Sequence, residues 1–98
     1  MLQDFVLGFI RIHILHHAKE KPIYGAWIME EPARHGYKLT PGTLYPILHE
    51  LEEKGFTKSY TKIVEGKKRK YYEMTPEGSR AIEEVKPKIK ELVNEVLE

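Results

Sequence analysis

His13 and His17 are the first residues in this chain whose type and spacing suggest chemistry. They stand four apart, one helical turn, with His16 beside them, a spacing that can grip a divalent metal. No carboxylate completes a ligand set at a recognisable spacing, and histidines at helical spacing are usually packing or solvated residues, so no metal site is expected. The absence of cysteine excludes disulfides, thiolate zinc sites and cysteine nucleophiles. No nucleophile, base and orienting group fall at a known spacing either. Neither catalysis nor a cofactor is expected, which leaves recognition as the chemistry to look for.

Recognition has two candidate carriers. The first is the stretch from Leu39 to Phe56, Leu-Thr-Pro-Gly-Thr-Leu-Tyr-Pro-Ile-Leu-His-Glu-Leu-Glu-Glu-Lys-Gly-Phe. It reads as a helix with both ends marked: Thr40 as N-cap and Pro41 at the first position, Lys54 in the last turn and Gly55 as a left-handed C-cap. Leu44, Ile47, Leu48 and Leu51 recur at helical spacing and must face a core. Gly42, Thr43, Tyr45, Pro46 and His49 then form the outer surface. Glu, Lys and Gln would make an ordinary solvated face; this one is small, aromatic and hydrogen-bonding, as in a helix that enters a DNA groove. Pro46 lies deep for a helix capped by Thr40, because its missing N–H would have paired with Gly42, at a cost of ~3 kcal/mol. Either the regular helix begins nearer Thr43 or it is kinked; a distorted first turn that aims its backbone outward is the expected form.

The second carrier is basic. Lys62, Lys67, Lys68, Arg69 and Lys70 surround Glu65, the one acid among them. Phe56 to Val64 is rich in strand formers, Glu65-Gly66-Lys67 reads as a turn, and Arg69 to Met74 returns as a second strand. Such a hairpin is marginal alone; Tyr72 and Met74 point the same way and lean it on the helices, while Tyr71 points opposite. A basic tip suits phosphate contact. Lysines also blunt an exposed strand edge, but the position directly after a groove-entering helix favours the phosphate reading.

These carriers need elements to position them. Residues 2 to about 18 form a first helix, whose Leu2, Phe5, Val6, Phe9, Ile10, Ile12, Ile14 and Leu15 cover more than one stripe. The surplus calls for a second surface, supplied by a partner subunit. Lys19 to Ile23 reads as a loop, and Tyr24-Gly25 opens a short helix carrying Trp27, Ile28 and Met29 that ends by Pro32. A turn over Ala33 to Lys38 completes a helix-turn-helix, with Trp27 in the core or at an interface. Thr75-Pro76-Glu77 starts a last helix, striped by Ile82, Val85, Ile89, Leu92, Val93, Val96 and Leu97, with Pro87 expected to kink or split it. The stripe runs too far for a small core to cover, so this helix is expected to dimerise against the partner's first helix. Phe5, Phe9, Ile12, Val85, Ile89, Leu92, Val93 and Val96 make up the expected dimer interface.

The chain is 98 residues long with a formal net charge of +1, so affinity for nucleic acid must come from local clustering. The apolar run Leu2 to Leu15 is broken by Asp4, Arg11 and His13. It is shorter than the ~18–20 residues of a membrane span and lacks a basic start and a cleavage site, so a cytoplasmic protein is expected. The expected fold class is α+β, mainly helical: a winged helix-turn-helix with a two-stranded β wing and N- and C-terminal dimerisation helices. Residues 1–75 would bind DNA and residues 76–98 dimerise, within one compact domain overall.

From Tyr24 to Arg80 the chain resembles the PadR-type transcriptional regulators, a winged-helix family. Thr40-Pro41-Gly42-Thr43-Leu44-Tyr45-Pro46, followed by Leu48, Leu51-Glu52 and Gly55, is the most specific part of the likeness. Gly66-Lys67-Lys68-Arg69-Lys70-Tyr71-Tyr72 running into Thr75 and Gly78 is the second, in the family's order and separation. Tyr24-Gly25 also matches, whereas Ala26 and Trp27 replace the more usual aromatic and acidic pair. The resemblance implies a homodimer on an inverted-repeat operator, usually a repressor, released in some members by a small aromatic effector at the dimer interface. The expected contacts with double-stranded DNA are Thr40, Gly42, Thr43, Tyr45, Pro46 and His49 in the major groove, and Lys67, Lys68, Arg69 and Lys70 on the neighbouring backbone or minor groove. Tyr24 and Lys38 would add phosphate contacts at the flank. The alternative is a winged-helix protein-interaction module without DNA binding.

Overall fold

Leu44 and Leu48 have no exposed surface, and around them close Ile10, Ile14, Leu15, Ile23, Ile28, Ile47, Leu51, Tyr72 and Ile82. These residues come from almost every element of the chain, so one core organises it. The structure, a computed structural model, describes residues 1–34 and 39–98, with side chains for 1–30 and 39–98. The order is α1 (Leu2–Glu20), β1 (Ile23–Tyr24), α2 (Gly25–Arg34), α3 (Pro41–Glu53), β2 (Thr57–Val64), β3 (Lys67–Met74) and α4 (Pro76–Val96). Lys38 and most of the turn expected before α3 lie outside the described residues.

The wing is a three-stranded antiparallel sheet in the order β1-β3-β2, one strand more than expected. Ile23 pairs with Tyr72 and Tyr24 with Tyr71. Two residues are too short a run for alternation to reveal, and the Tyr-Gly pair that looked like a helix start divides between β1 and α2. The hairpin tip is also tighter than expected. Val64 pairs directly with Lys67, leaving Glu65 at φ 53° and Gly66 at φ 79°, the left-handed pair of a type I′ turn whose twist suits a hairpin. β3 therefore begins at Lys67 rather than Arg69. α2 runs on to Arg34, two residues past Pro32, because a proline removes one backbone hydrogen bond behind it and leaves the next turn free to form.

Helix α3 starts at Pro41, not at Thr43, and carries Pro46 inside it. The N–H groups of Thr43 and Leu44 both donate to the Thr40 carbonyl, at 3.0 and 2.9 Å, so the first turn is tightened as expected of a strained start. Pro46 frees the carbonyl of Gly42, and Gly42 is exposed, where water satisfies it at little cost. The Thr40 hydroxyl does not make the expected cap bond to backbone; it donates instead to Thr43 Oγ1 at 3.3 Å. At the other end, Phe56 N–H donates to Leu51 C=O and Gly55 N–H to Glu52 C=O, both at 2.9 Å. This is a Schellman closure, and Gly55 takes the left-handed φ of 79° that it requires.

Helix α4 is continuous through Pro87 rather than split. Its start is fastened to the end of α3. Thr75 Oγ1 accepts from Gly78 N–H at 3.1 Å and donates to the Gly55 carbonyl, while Thr75 N–H donates to the Phe56 carbonyl at 3.1 Å. Gly78 lies against that carbonyl so closely that an added Cβ would meet the Phe56 oxygen at 2.1 Å. Met74 Cγ, at 3.1 Å, could shift, but the Phe56 carbonyl is backbone and cannot yield as a side chain would. Gly78→Ala is therefore expected to destabilise the fold by about 1–3 kcal/mol through overpacking. Urea unfolding measures it; an unchanged midpoint would mean that α4 does not approach Phe56 this closely.

Candidate nucleic-acid interface

With Leu44, Ile47, Leu48 and Leu51 buried, the opposite side of α3 carries Pro41, Gly42, Tyr45, Pro46 and His49, all exposed, with Thr43 half-buried beside them. No acid occurs in the first nine residues of the helix, whereas Glu52 and Glu53 are exposed in its last turn. Only the N-terminal half of this surface is electrostatically suited to phosphate, and the helix dipole is positive at that end. Tyr45 reaches across to α2: a Cβ on Gly25 would meet the Tyr45 hydroxyl at 3.0 Å. Gly25 thus leaves room for the phenol beside the start of α2.

A polar tie on its flank holds α3 to α1. Arg11 Nη2 donates to Glu50 Oε2 at 3.0 Å, and Lys54 Nζ donates to Glu50 Oε1 at 3.1 Å. The hydrogen bond from Arg11, then that from Lys54, holds the Glu50 carboxyl below its ordinary value. Stability from a depressed carboxylate is present above the unfolded-state pKa and is lost as pH falls through the folded-state one, so this tie weakens only in acid.

In the wing, strand alternation places Lys68, Lys70, Tyr72 and Met74 on one face of β3 and Lys67, Arg69, Tyr71 and Glu73 on the other. Tyr72 is buried and Met74 packs against the core, so the first face is the one turned to the helices. Lys70 Nζ lies 5.5 Å from the centre of the Tyr72 ring. Lys67, Lys68 and Lys70 are exposed, but Arg69 is half-buried. Its guanidinium sits 4.1 Å from the centre of the Tyr24 ring, and its Nη1 makes a long hydrogen bond of 3.5 Å to the Tyr71 hydroxyl, which raises the Arg69 pKa. Tyr24 meets Tyr71 edge-on at 5.5 Å, and Tyr60 stacks on Tyr71 at 5.6 Å. Tyr24 and Arg69 therefore engage each other and pin β1 to β3, a role that residue spacing alone did not suggest.

Tyr24, Gly25, Tyr45 and the run Lys67 to Lys70 border one concavity of ≈ 450 Å³ between wing, α2 and α3. The fold thus gathers Tyr24, Tyr45 and the four wing cations, while Thr40, Gly42, Thr43, Pro46 and His49 extend the same surface along α3 beyond the concavity. Lys38 lies outside the described residues.

A second concavity, ≈ 630 Å³, runs between α1 and α4 and is lined by Phe5, Phe9, Ile12, Val85, Ile89, Leu92 and Val93. It brings together every residue of the expected dimer interface except Val96, which is exposed farther along α4. His13 and His17 stack at 4.5 Å, and His17 meets half-buried Trp27 edge-on at 5.1 Å; these histidines form part of an aromatic column joining α1 to α2. Among the described residues no three His, Asp or Glu side chains converge as a metal site, and no helix is long and apolar enough to cross a membrane.

Residues 14–84 match the model of the Transcriptional regulator PadR-like family. The transcriptional regulator Rv3488 of Mycobacterium tuberculosis is 44% identical over 96 residues, spanning 98% of this chain and 90% of that protein. Among solved structures, a PadR family transcriptional regulator from Eggerthella lenta aligns with a TM-score of 0.84 at 31% identity, covering 98% of this chain and 85% of the other. A PadR family transcription regulator from Clostridium difficile aligns at 0.79 and 33% identity, covering 92% and 99%.

The brace between β1 and β3 can be tested by Arg69→Lys, which keeps the charge but not the planar group that stacks and forks. Amide exchange at Tyr71 and Tyr72 is expected to quicken; unchanged rates would mean that the stack holds nothing.

Proposed function

The chain belongs to the PadR-like family of transcriptional regulators, and from that premise we propose that it is a sequence-specific double-stranded DNA-binding repressor. It holds an inverted-repeat operator as a homodimer and acts in the cytoplasm. The observation that carries this reading is the shared concavity: an acid-free helix tip bearing Tyr45 and the exposed Lys67, Lys68 and Lys70 lie around one hollow. The work is docking rather than bond-making.

The N-terminal half of α3 enters the major groove. Thr43, Tyr45 and His49 meet base edges or phosphates there, with Thr40 and Pro46 at the margin, and Gly42 allows the backbone close to phosphate. Lys67, Lys68 and Lys70 follow the adjacent backbone, and Arg69 and Tyr24 add contact while bracing the wing. Lys38 adds a further phosphate contact in this reading. Phosphate contacts supply affinity, and the few side chains of α3 supply preference.

The apolar seam supports the homodimer, with residues 1–75 as the DNA-binding part and residues 76–98 as the dimerising part. Phe5, Leu92 and Val96 are 59%, 55% and 67% exposed in a single chain, a contiguous apolar surface of the kind that marks an interface. A second copy laying its α1 and α4 there covers it and sets two α3 tips about 34 Å apart, one helical turn of DNA. What remains of the groove is where a small aromatic effector lodges and releases the DNA.

Two measurements test this. Lys68→Ala is expected to weaken binding to all duplexes and to lower the slope of log affinity against log salt by about 0.9 for each phosphate it ceases to neutralise; an unchanged slope would remove the wing from the interface. Leu92→Glu with Val96→Glu should leave the fold intact, since both side chains are exposed, and give a monomer on sedimentation. A dimer that survives both charges would place the seam elsewhere.

A further inference from the structure

We infer that Ile63, near the wing tip, is an apolar contact to the DNA minor groove and gives the protein a preference for A·T pairs at the flanks of its site. This rests on the DNA-binding reading above and adds to it a residue that no charge pattern marks. Ile63 is 73% exposed. Apart from Tyr45, every other strongly exposed large apolar side chain among the described residues belongs to α1 or α4 or directly adjoins one of them, where a second copy covers it. Ile63 stands on the wing, away from that seam.

Its surroundings suggest its partner. Ile63 pairs directly with Lys68, and the next pair inward on the same face is Thr61 with Lys70. An isoleucine with lysines opposite and diagonal to it therefore projects from the helix-facing side of a hairpin. The minor groove is about 6 Å wide with a row of phosphates along each wall, and its sides are the C–H surfaces of the sugars. A branched aliphatic side chain on the edge strand, with Lys68 beside it on β3, suits the sugar surface in shape and one phosphate wall in charge, while Lys70 turns inward over the Tyr72 ring. Apolar wedges of this kind are a recurring minor-groove device.

The chemistry also predicts what Ile63 distinguishes. A side chain without donors or acceptors cannot tell A·T from T·A, which present the same acceptors in this groove. It is obstructed by the guanine 2-amino group, the one feature that G·C adds to the groove floor. Inosine lacks that amino group, so an I·C pair offers the A·T minor groove beneath a G·C-like major groove.

The test uses the full chain and an operator obtained by selection from a random duplex pool, remade with A·T, I·C or G·C at the flanks. Wild-type protein is expected to bind the A·T and I·C versions equally and the G·C version more weakly. Ile63→Thr keeps the branch that suits the strand but adds a hydroxyl; it should lower affinity about tenfold, leave the salt slope unchanged and erase the flank preference. Unaltered dimer mass and melting temperature would assign that loss to the contact. Three results overturn the inference while leaving DNA binding standing: full affinity and flank preference in Ile63→Thr, I·C behaving as G·C, or loss of the dimer in the variant. If wild-type protein retains no duplex even at low salt, the DNA-binding reading itself falls.

Discussion

Leu44 and Leu48 are sealed from solvent, and their burial fixes the rotation of α3 about its own axis. Once that stripe is locked into the shared core against α2 and β2, Gly42, Tyr45, Pro46 and His49 have no course but outward. Replacing either leucine with alanine would leave a cavity at the centre of the core this short chain builds, at a cost of about 2–5 kcal/mol against a total stability of about 5–15 kcal/mol. The presentation of the helix tip is therefore a consequence of packing. The same packing carries the other parts: the Schellman turn after α3 delivers Phe56 to the start of β2, and the Phe56 carbonyl in turn seats Thr75 and Gly78 at the head of α4. Helix, wing and last helix are thus joined within a few residues, and a displacement of one is felt by the others.

Charge works on a finer scale than the total of +1 suggests. Among the described residues several acids pair with bases away from the wing tip: Glu50 between Arg11 and Lys54, Glu73 with Lys58, Glu83 between Lys19 and Lys86. The exposed lysines of β3 have one acid near the tip, Glu65, which occupies the turn itself. Arg69 differs from them because a guanidinium can stack on a phenol ring and still carry charge; held by Tyr24 and Tyr71, it fixes the angle at which its lysine neighbours are offered.

Much of this was legible in the residues. The spacing of Leu44, Ile47, Leu48 and Leu51 gave the buried side of α3 and, by exclusion, its outer face. Gly55 marked the end of that helix, and Thr75-Pro76 the start of the next. Tyr72 and Met74 named the supporting face of the wing. Other features depended on distances along the chain that local patterns do not encode. β1 is two residues whose strand character exists only because Tyr71 and Tyr72 lie alongside. The Thr40 hydroxyl turns to Thr43 Oγ1 because the Thr43 N–H it would have capped is already taken by the Thr40 carbonyl. Pro46 and Pro87 look like breaks on paper, yet each frees a carbonyl on an exposed turn, where solvent replaces the lost bond. Gly78 carried no local signal of its constraint, which comes from Phe56, twenty-two positions earlier. The seam between α1 and α4 was readable as surplus apolar surface, and the structure brings all of its expected residues but Val96 into one groove.

The central claim is that packing on one side of α3 offers two copies of its tip to a duplex, spaced by the dimer. Selection of bound DNA from a random pool by the purified full chain tests it most directly. The expected result is enrichment of an inverted repeat whose half-sites are centred about 10–10.5 base pairs apart, or a multiple of that. A pool that stays unenriched at low salt, or one that yields a single unpaired half-site, would contradict it.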